Sequence, residues 1–142
     1  MKFKTINENS LLLVFDRGDD VMSTLTTFAR QHPIRSASFT AIGACERAVI
    51  AYWNRETKEY ERIDVGEQVE VVSLTGNIAR GEDGEPRVHA HAALGKRDGS
   101  LIGGHFVSGV VYPTLELVLI PSDVVLQRKR DEGTGLPLLS IE

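Results

Sequence analysis

The pattern of hydrophobic and polar positions along this chain changes its period once. LLLVFDRGDD, residues 11–20, is a short apolar run closed by Gly18 and two aspartates, which predicts a strand followed by a helix start. Asp19 or Asp20 offers a side-chain oxygen to the first free backbone N–H groups of that helix. In DVMSTLTTFARQHP, Val21, Leu25, Phe28 and Ala29 recur at helical spacing with Met22 beside them, and serine and threonines take the opposite face. Pro33 ends the helix near His32, whose place in the last turn favours capping over ligation.

From residue 34 onward the period is that of β-strands. IRSASFTAIGA alternates, and RAVIAYWN is rich in β-branched and aromatic residues. RETKEYE reads as a hairpin turn with its flanks. EQVEVVSLTGNIAR reads as a strand in which Gly76 marks a bulge or a close backbone approach. After the turn GEDGEP, the strand RVHAHAAL, the turn GKRDG and the strand SLIGGHFVSGVVY follow. TLELVLIP is nearly all apolar, as expected for a strand covered on both faces. The remainder reads as a short strand and a semi-ordered tail. One helix and about seven strands predict an α+β domain, a mainly antiparallel sheet packed with one N-terminal helix. The expectation is a single domain over residues 1–142, with its core at about 10–128 and a C-terminal tail at 129–142. The edges of such a sheet must be closed, covered or paired with another chain, which favours oligomerisation.

Composition narrows the functional classes. A chain of 142 residues with 42% hydrophobic content can bury a core without disulfide or metal staples. Its one cysteine, Cys45, lies in an apolar stretch and reads as a packed small hydrophobe, consistent with a reduced, cytoplasmic protein. MKFKTINENS lacks the apolar centre and cleavage site of a signal peptide, and no apolar run approaches the roughly 20 residues of a membrane helix. The formal charge of −4 argues against broad electrostatic capture of nucleic acid. The basic cluster QRKRDEG is followed at once by acids and reads as a solvated edge.

Candidate chemistry concentrates in RVHAHAALGKRDGSLIGGHF, which holds three of the four histidines. His89 and His91, two apart on a strand, project to one face, while Val88, Ala90 and Ala92 turn to the core. The KRDG turn returns the chain so that His105 lies beside them, and Gly103 and Gly104 permit close backbone approach. Two readings stand at this point: solvated or hydrogen-bonded imidazoles, or three neutral ligands for Zn²⁺ with a fourth position open. Glu116 interrupts TLELVLI, where a carboxylate needs a partner; it is either an edge or interface ion pair, or an orienter of an imidazole N–H at the metal. No phosphate-binding loop, dinucleotide fingerprint, H-E-x-x-H or G-x-S-x-G is present.

The ordered motifs resemble the plants and prokaryotes conserved (PPC) domain, also called the AT-hook-associated domain or domain of unknown function 296. They are His89 and His91, Asp98-Gly99, Gly103-Gly104-His105, and Thr114 with Glu116. The resemblance runs from about Phe15 to Pro121 and is to the stand-alone prokaryotic type. It implies a homotrimer in which His89, His91 and His105 hold a metal ion, usually zinc. In plants the domain follows AT-hooks that bind DNA, and the family's DNA-binding description rests largely on those proteins. Here DRGDD and IARGEDG put acids where a hook needs arginine or proline. The sequence thus predicts a zinc-binding, homotrimeric regulatory module with DNA as a family-derived partner. The alternative is a zinc-dependent hydrolase or lyase using metal-bound water.

Overall fold

Residues 37–54 and 101–121, each expected from the sequence as two strands, form one long strand apiece that continues through β-bulges. The computed structural model describes residues 1–141. The strands are β1 (Lys2–Asn7), β2 (Ser10–Phe15), β3 (Ala37–Asn54), β4 (Glu59–Val65), β5 (Val69–Arg80), β6 (Pro86–Gly95), β7 (Leu101–Pro121), β8 (Gln127–Arg130) and β9 (Pro137–Ser140), with one helix, α1 (Val21–Gln31). Run straight, strands as long as β3 and β7 would extend on the order of 60 Å. Register shifts between Ala41 and Gly43, Gly43 and Cys45, and Val49 and Ile50 bend them instead.

The pairings form a ring. β3 pairs β5, β5 pairs β6, β6 pairs β7, and β7 returns to β3, all antiparallel. β2 extends the sheet from the C-terminal half of β7 and β1 from β2, while β4 pairs the C-terminal half of β3. β8 joins β5 through a single parallel bridge, Arg80 to Gln127, and forms an antiparallel hairpin with β9. The sheet is therefore mixed.

This corrects the expected fold class. Strand accounts for 63% of the chain against one 11-residue helix, so the protein is mainly β rather than α+β. The physical reason is that chain assigned to turns and tail also pairs: β1 precedes the expected core boundary at residue 10, and β9 lies in the stretch expected as a tail. TLELVLIP also differs from expectation. Leu115, Leu117 and Leu119 are buried, but Glu116 and Ile120 are exposed, so that strand has one covered face rather than two.

The helix forms as its sequence dictates. Asp20 caps it, its carboxylate accepting from the Ser23 N–H at 2.9 Å, and its second oxygen accepts from Gly109 N–H on β7 at 3.3 Å. Val21, Leu25, Phe28 and Ala29 are buried, each large side chain contributing about 1.5–3 kcal/mol. They join Leu13, Phe15, Ile50, Leu74, Leu94, Phe106 and Leu117 in one core. His32 closes the helix: its backbone N–H bonds the Phe28 carbonyl and its ring stacks on Phe28 at 4.1 Å. Cys45 is buried, and desolvation, followed by the Asp20 charge, pushes its thiol up to about 12. The helix is too short to cross a membrane.

Candidate metal centre

The three histidines converge because one tight hairpin sets their register. Lys96 N–H bonds Ser100 O at 2.8 Å, Gly99 N–H bonds Lys96 O at 2.9 Å, and the Asp98 carboxylate accepts from Ser100 N–H at 2.9 Å. From that turn the ladder runs back through Gly95–Leu101 to His91–His105 as direct partners. Direct partners share a face, and His89 shares it by lying two residues from His91. Ala90 and Ala92, on the other face, are buried.

Two glycines make the approach possible. A Cβ on Gly76 of β5 would collide with the His89 carbonyl oxygen and the Phe39 ring, confirming the close approach read from sequence. A Cβ on Gly104 would stand 2.8 Å from the Ala51 carbonyl oxygen, so glycine there lets β7 close onto β3 beside His105.

The ring centroids lie 5.2 Å apart for His89–His91, 5.0 Å for His89–His105 and 5.6 Å for His91–His105. One ligating atom from each falls within 4.8 Å of the others. Tetrahedral zinc with Zn–N of 2.0–2.1 Å would hold its nitrogens about 3.3 Å apart, so the three imidazoles would have to draw together to bind it. His91 is exposed, while His89 and His105 are partly buried, and His105 Nδ1 is buried without a hydrogen-bond partner among the described residues. Burial first, then the Arg128 charge and the two neighbouring imidazoles, lowers His89 to about 4. His105 is lowered by burial, then by His91 and Arg128. Both are thus neutral near pH 7, the form that binds metal.

Glu116 is not brought to this site within one chain. It sits opposite Ile42 on β3, whereas His105 sits opposite Ala51, a separation of on the order of 30 Å along the strand. Glu116 is exposed and lines a shallow groove of about 340 Å³ with Ile42, Gly43, Glu70, Val72 and Thr114.

Sequence reasoning missed two residues beside the triad. Tyr60 of β4 stacks on His105 at 4.6 Å and meets Trp53, its partner across the β3–β4 hairpin, at 4.9 Å. Arg128, read as part of a solvated edge, is only 7% exposed. Its Nη2 donates to Asn77 Oδ1 at 2.6 Å, and Asn77 is the direct partner of His89 across β5 and β6. Its Nη1 donates to Pro137 O at 2.9 Å, tying the β8–β9 hairpin to itself. The one sequence signal was position: Arg128 follows Leu126 by two in an extended run and so shares its face.

A mainly β domain closed through a four-strand ring, with a histidine triad on its outer face, is the class defined by this geometry. Residues 5–123 match the model of the Plants and Prokaryotes Conserved (PCC) domain, and the chain belongs to that family. Among solved structures, it is similar to a metal-containing protein from Archaeoglobus fulgidus at 36% identity and TM-score 0.87, covering 99% of this chain and 100% of that one. A plant- and prokaryote-conserved protein from Pyrococcus horikoshii matches at 30% identity and TM-score 0.86, covering 94% and 92%. A Bacteroides thetaiotaomicron protein provisionally described as DNA-binding matches at 26% identity and TM-score 0.93, covering 98% and 96%. Comparison with curated protein sequences returned no match.

Proposed function

We propose that this protein is a cytoplasmic, homotrimeric regulatory domain that binds one Zn²⁺ per chain through His89, His91 and His105. The observation that carries the metal reading is the convergence of one ring nitrogen from each of three histidines within 4.8 Å, beside a His105 whose buried Nδ1 has no hydrogen-bond partner among the described residues. An unpaired buried polar atom is costly, and a metal ion offsets that cost. The Archaeoglobus fulgidus relative, a metal-containing protein, supports the same reading. The three imidazoles suit zinc, which accepts nitrogen ligands and leaves a fourth position open in a three-ligand site. When bound, the metal supplies a Lewis-acidic centre that the chain otherwise lacks.

Support for self-assembly comes from the sheet surface around Glu116. Ile42 is 61% exposed and Val72 is 52% exposed in the same groove, apolar surface that a second copy would remove from water. DNA as a partner is supported by relatives provisionally described as DNA-binding. A charge of −4 over these 142 residues gives the domain itself no broad basic face, so such a contact would rest on a local surface of the assembly.

The test is elemental analysis of protein purified without chelator, combined with native mass measurement. The expected result is one zinc per chain in a trimer. Protein that stays metal-free after incubation with zinc would remove the metal reading, and a monomer at micromolar concentration would remove the assembly.

A further inference from the structure

One buried side chain fastens the β8–β9 hairpin to the triad's side of the sheet. Along both strands the residues are exposed, except for buried Arg128 and partly buried Ser140. β8 meets β5 at one bridge, Arg80 to Gln127, and the exposed Lys58 ammonium donates to Gly133 O at 2.7 Å. Between these tethers, Arg128 Nη1 donates to Pro137 O of its own hairpin and Nη2 to Asn77 Oδ1 of β5.

That fastening is made by a charge with no counter-charge. Both acceptors are neutral, and Nε is buried without a hydrogen-bond partner. Arg128 belongs to none of the ion pairs among the described residues. Desolvation lowers its pKa from the ordinary arginine value, against a lesser opposing pull from Tyr60. A buried charge left unpaired is costly, so the docked hairpin already carries an unfavourable term.

The same charge faces the histidines. Asn77, which holds Nη2, is the direct partner of His89, and such partners keep their Cβ atoms about 4.5–5.5 Å apart. Tyr60, which interacts with the guanidinium, stacks on His105. After burial, the Arg128 charge is the next cause holding His89 down, and His105 feels it behind burial and His91. A cation that opposes one proton on these rings opposes a divalent ion there more strongly.

Resting on the metal reading above, we propose that Arg128 makes metal binding at the triad and docking of the β8–β9 hairpin mutually antagonistic. Metal on the imidazoles loosens the hairpin, because an undocked guanidinium reaches water, where its charge is solvated and screened. The docked hairpin weakens metal binding by the same factor, since coupling between two equilibria is reciprocal. Once Arg128 lets go, β8 and β9 fray, a lone two-stranded hairpin being marginal in water.

The experiment uses the full chain and two readouts. Competition with a chromogenic chelator gives zinc affinity, and amide hydrogen exchange reports docking of residues 127–140. In wild type, zinc should speed exchange across those residues while slowing it around the triad, and His105→Ala should show neither change. Arg128→Met removes the charge and should bind zinc about tenfold more tightly. A merely supporting role for Arg128 predicts the opposite sign. Asn77→Asp supplies the missing counter-charge, so zinc should no longer speed exchange in its hairpin. Wild type that binds zinc with unchanged or slowed exchange over residues 127–140 would overturn the proposal and leave the metal reading standing. A folded Arg128→Met protein with equal or weaker zinc affinity would overturn it too. If that variant does not fold, zinc-dependent loosening that persists undiminished in Asn77→Asp has the same force. Failure of the wild type to bind zinc at all would overturn the metal reading itself, and this proposal with it.

Discussion

His91 on β6 and His105 on β7 are direct partners across an antiparallel pair, with ring centroids 5.6 Å apart. That single register relation aims two imidazoles at one point, and His89, two residues from His91, completes the set.

His105→Ala should abolish stoichiometric metal binding while leaving the fold intact, because the remaining His89 and His91 offer only two ligands. Wild type at a free metal concentration 100 times its Kd should gain about 2.7 kcal/mol of stability. The variant should gain almost none, and thermal melts with and without zinc measure the difference. The same pair of proteins tests metal-bound water chemistry: equal turnover in esterase, phosphatase and hydratase screens would exclude the enzymatic alternative.

The metal-free protein should lose stability as pH falls from about 6.5 toward 4. His89 is lowered from 6.5 to about 4 in the folded state, and His105 is lowered as well. Across that window the unfolded chain binds protons that the folded chain refuses, so stability is full above the unfolded pKa and declines through the folded one. Denaturant titrations at pH 7, 5.5 and 4.5 should show the decline, and His89→Ala should flatten it. An equal slope in the variant would assign the decline to carboxylates.

Gly76→Ala should destabilise the protein by about 1–3 kcal/mol, the range for overpacking a close contact. The added methyl collides with the His89 carbonyl oxygen and the Phe39 ring. Because His89 must move to relieve it, zinc affinity should fall as well. Urea unfolding and a zinc competition assay read the two effects separately.

Asp20→Ala should cost about 1–2 kcal/mol, at the upper end for helix N-caps. Its carboxylate bonds Ser23 N–H at the helix start and Gly109 N–H on β7, so two elements lose a partner together. Asp20→Asn should recover most of the loss. Chemical denaturation compares the three proteins.

Local features were legible in the sequence. The helix, its Asp20 cap and its His32 terminus depend on residues within a few positions of one another. The triad was legible for the same reason, since parity places His89 with His91 and the GKRDG turn fixes how far back along the ladder His105 falls. Long-range pairing was not. Nothing near Ala37 or Leu101 announces that β3 and β7 continue through their bulges, and β1 is exposed along its length with no alternation to mark it. Arg128 escaped because its partner, Asn77, is 51 residues away, and a basic run says nothing about which member turns inward. Glu116 and His105 share β7 but stand eleven residues apart on it, so within one chain the strand does not bring that carboxylate to the triad.

On the metal reading proposed above, the ring of β3, β5, β6 and β7 bears on how metal would enter and leave. Both strands that carry the histidines are hydrogen-bonded to neighbours on each side, β6 between β5 and β7, and β7 between β6 and β3. Ligand positions are thus set by backbone ladders that exist before any ion arrives. Folding and loading become separable events, so a chelator should empty the protein without unfolding it, and fresh metal should refill it at once.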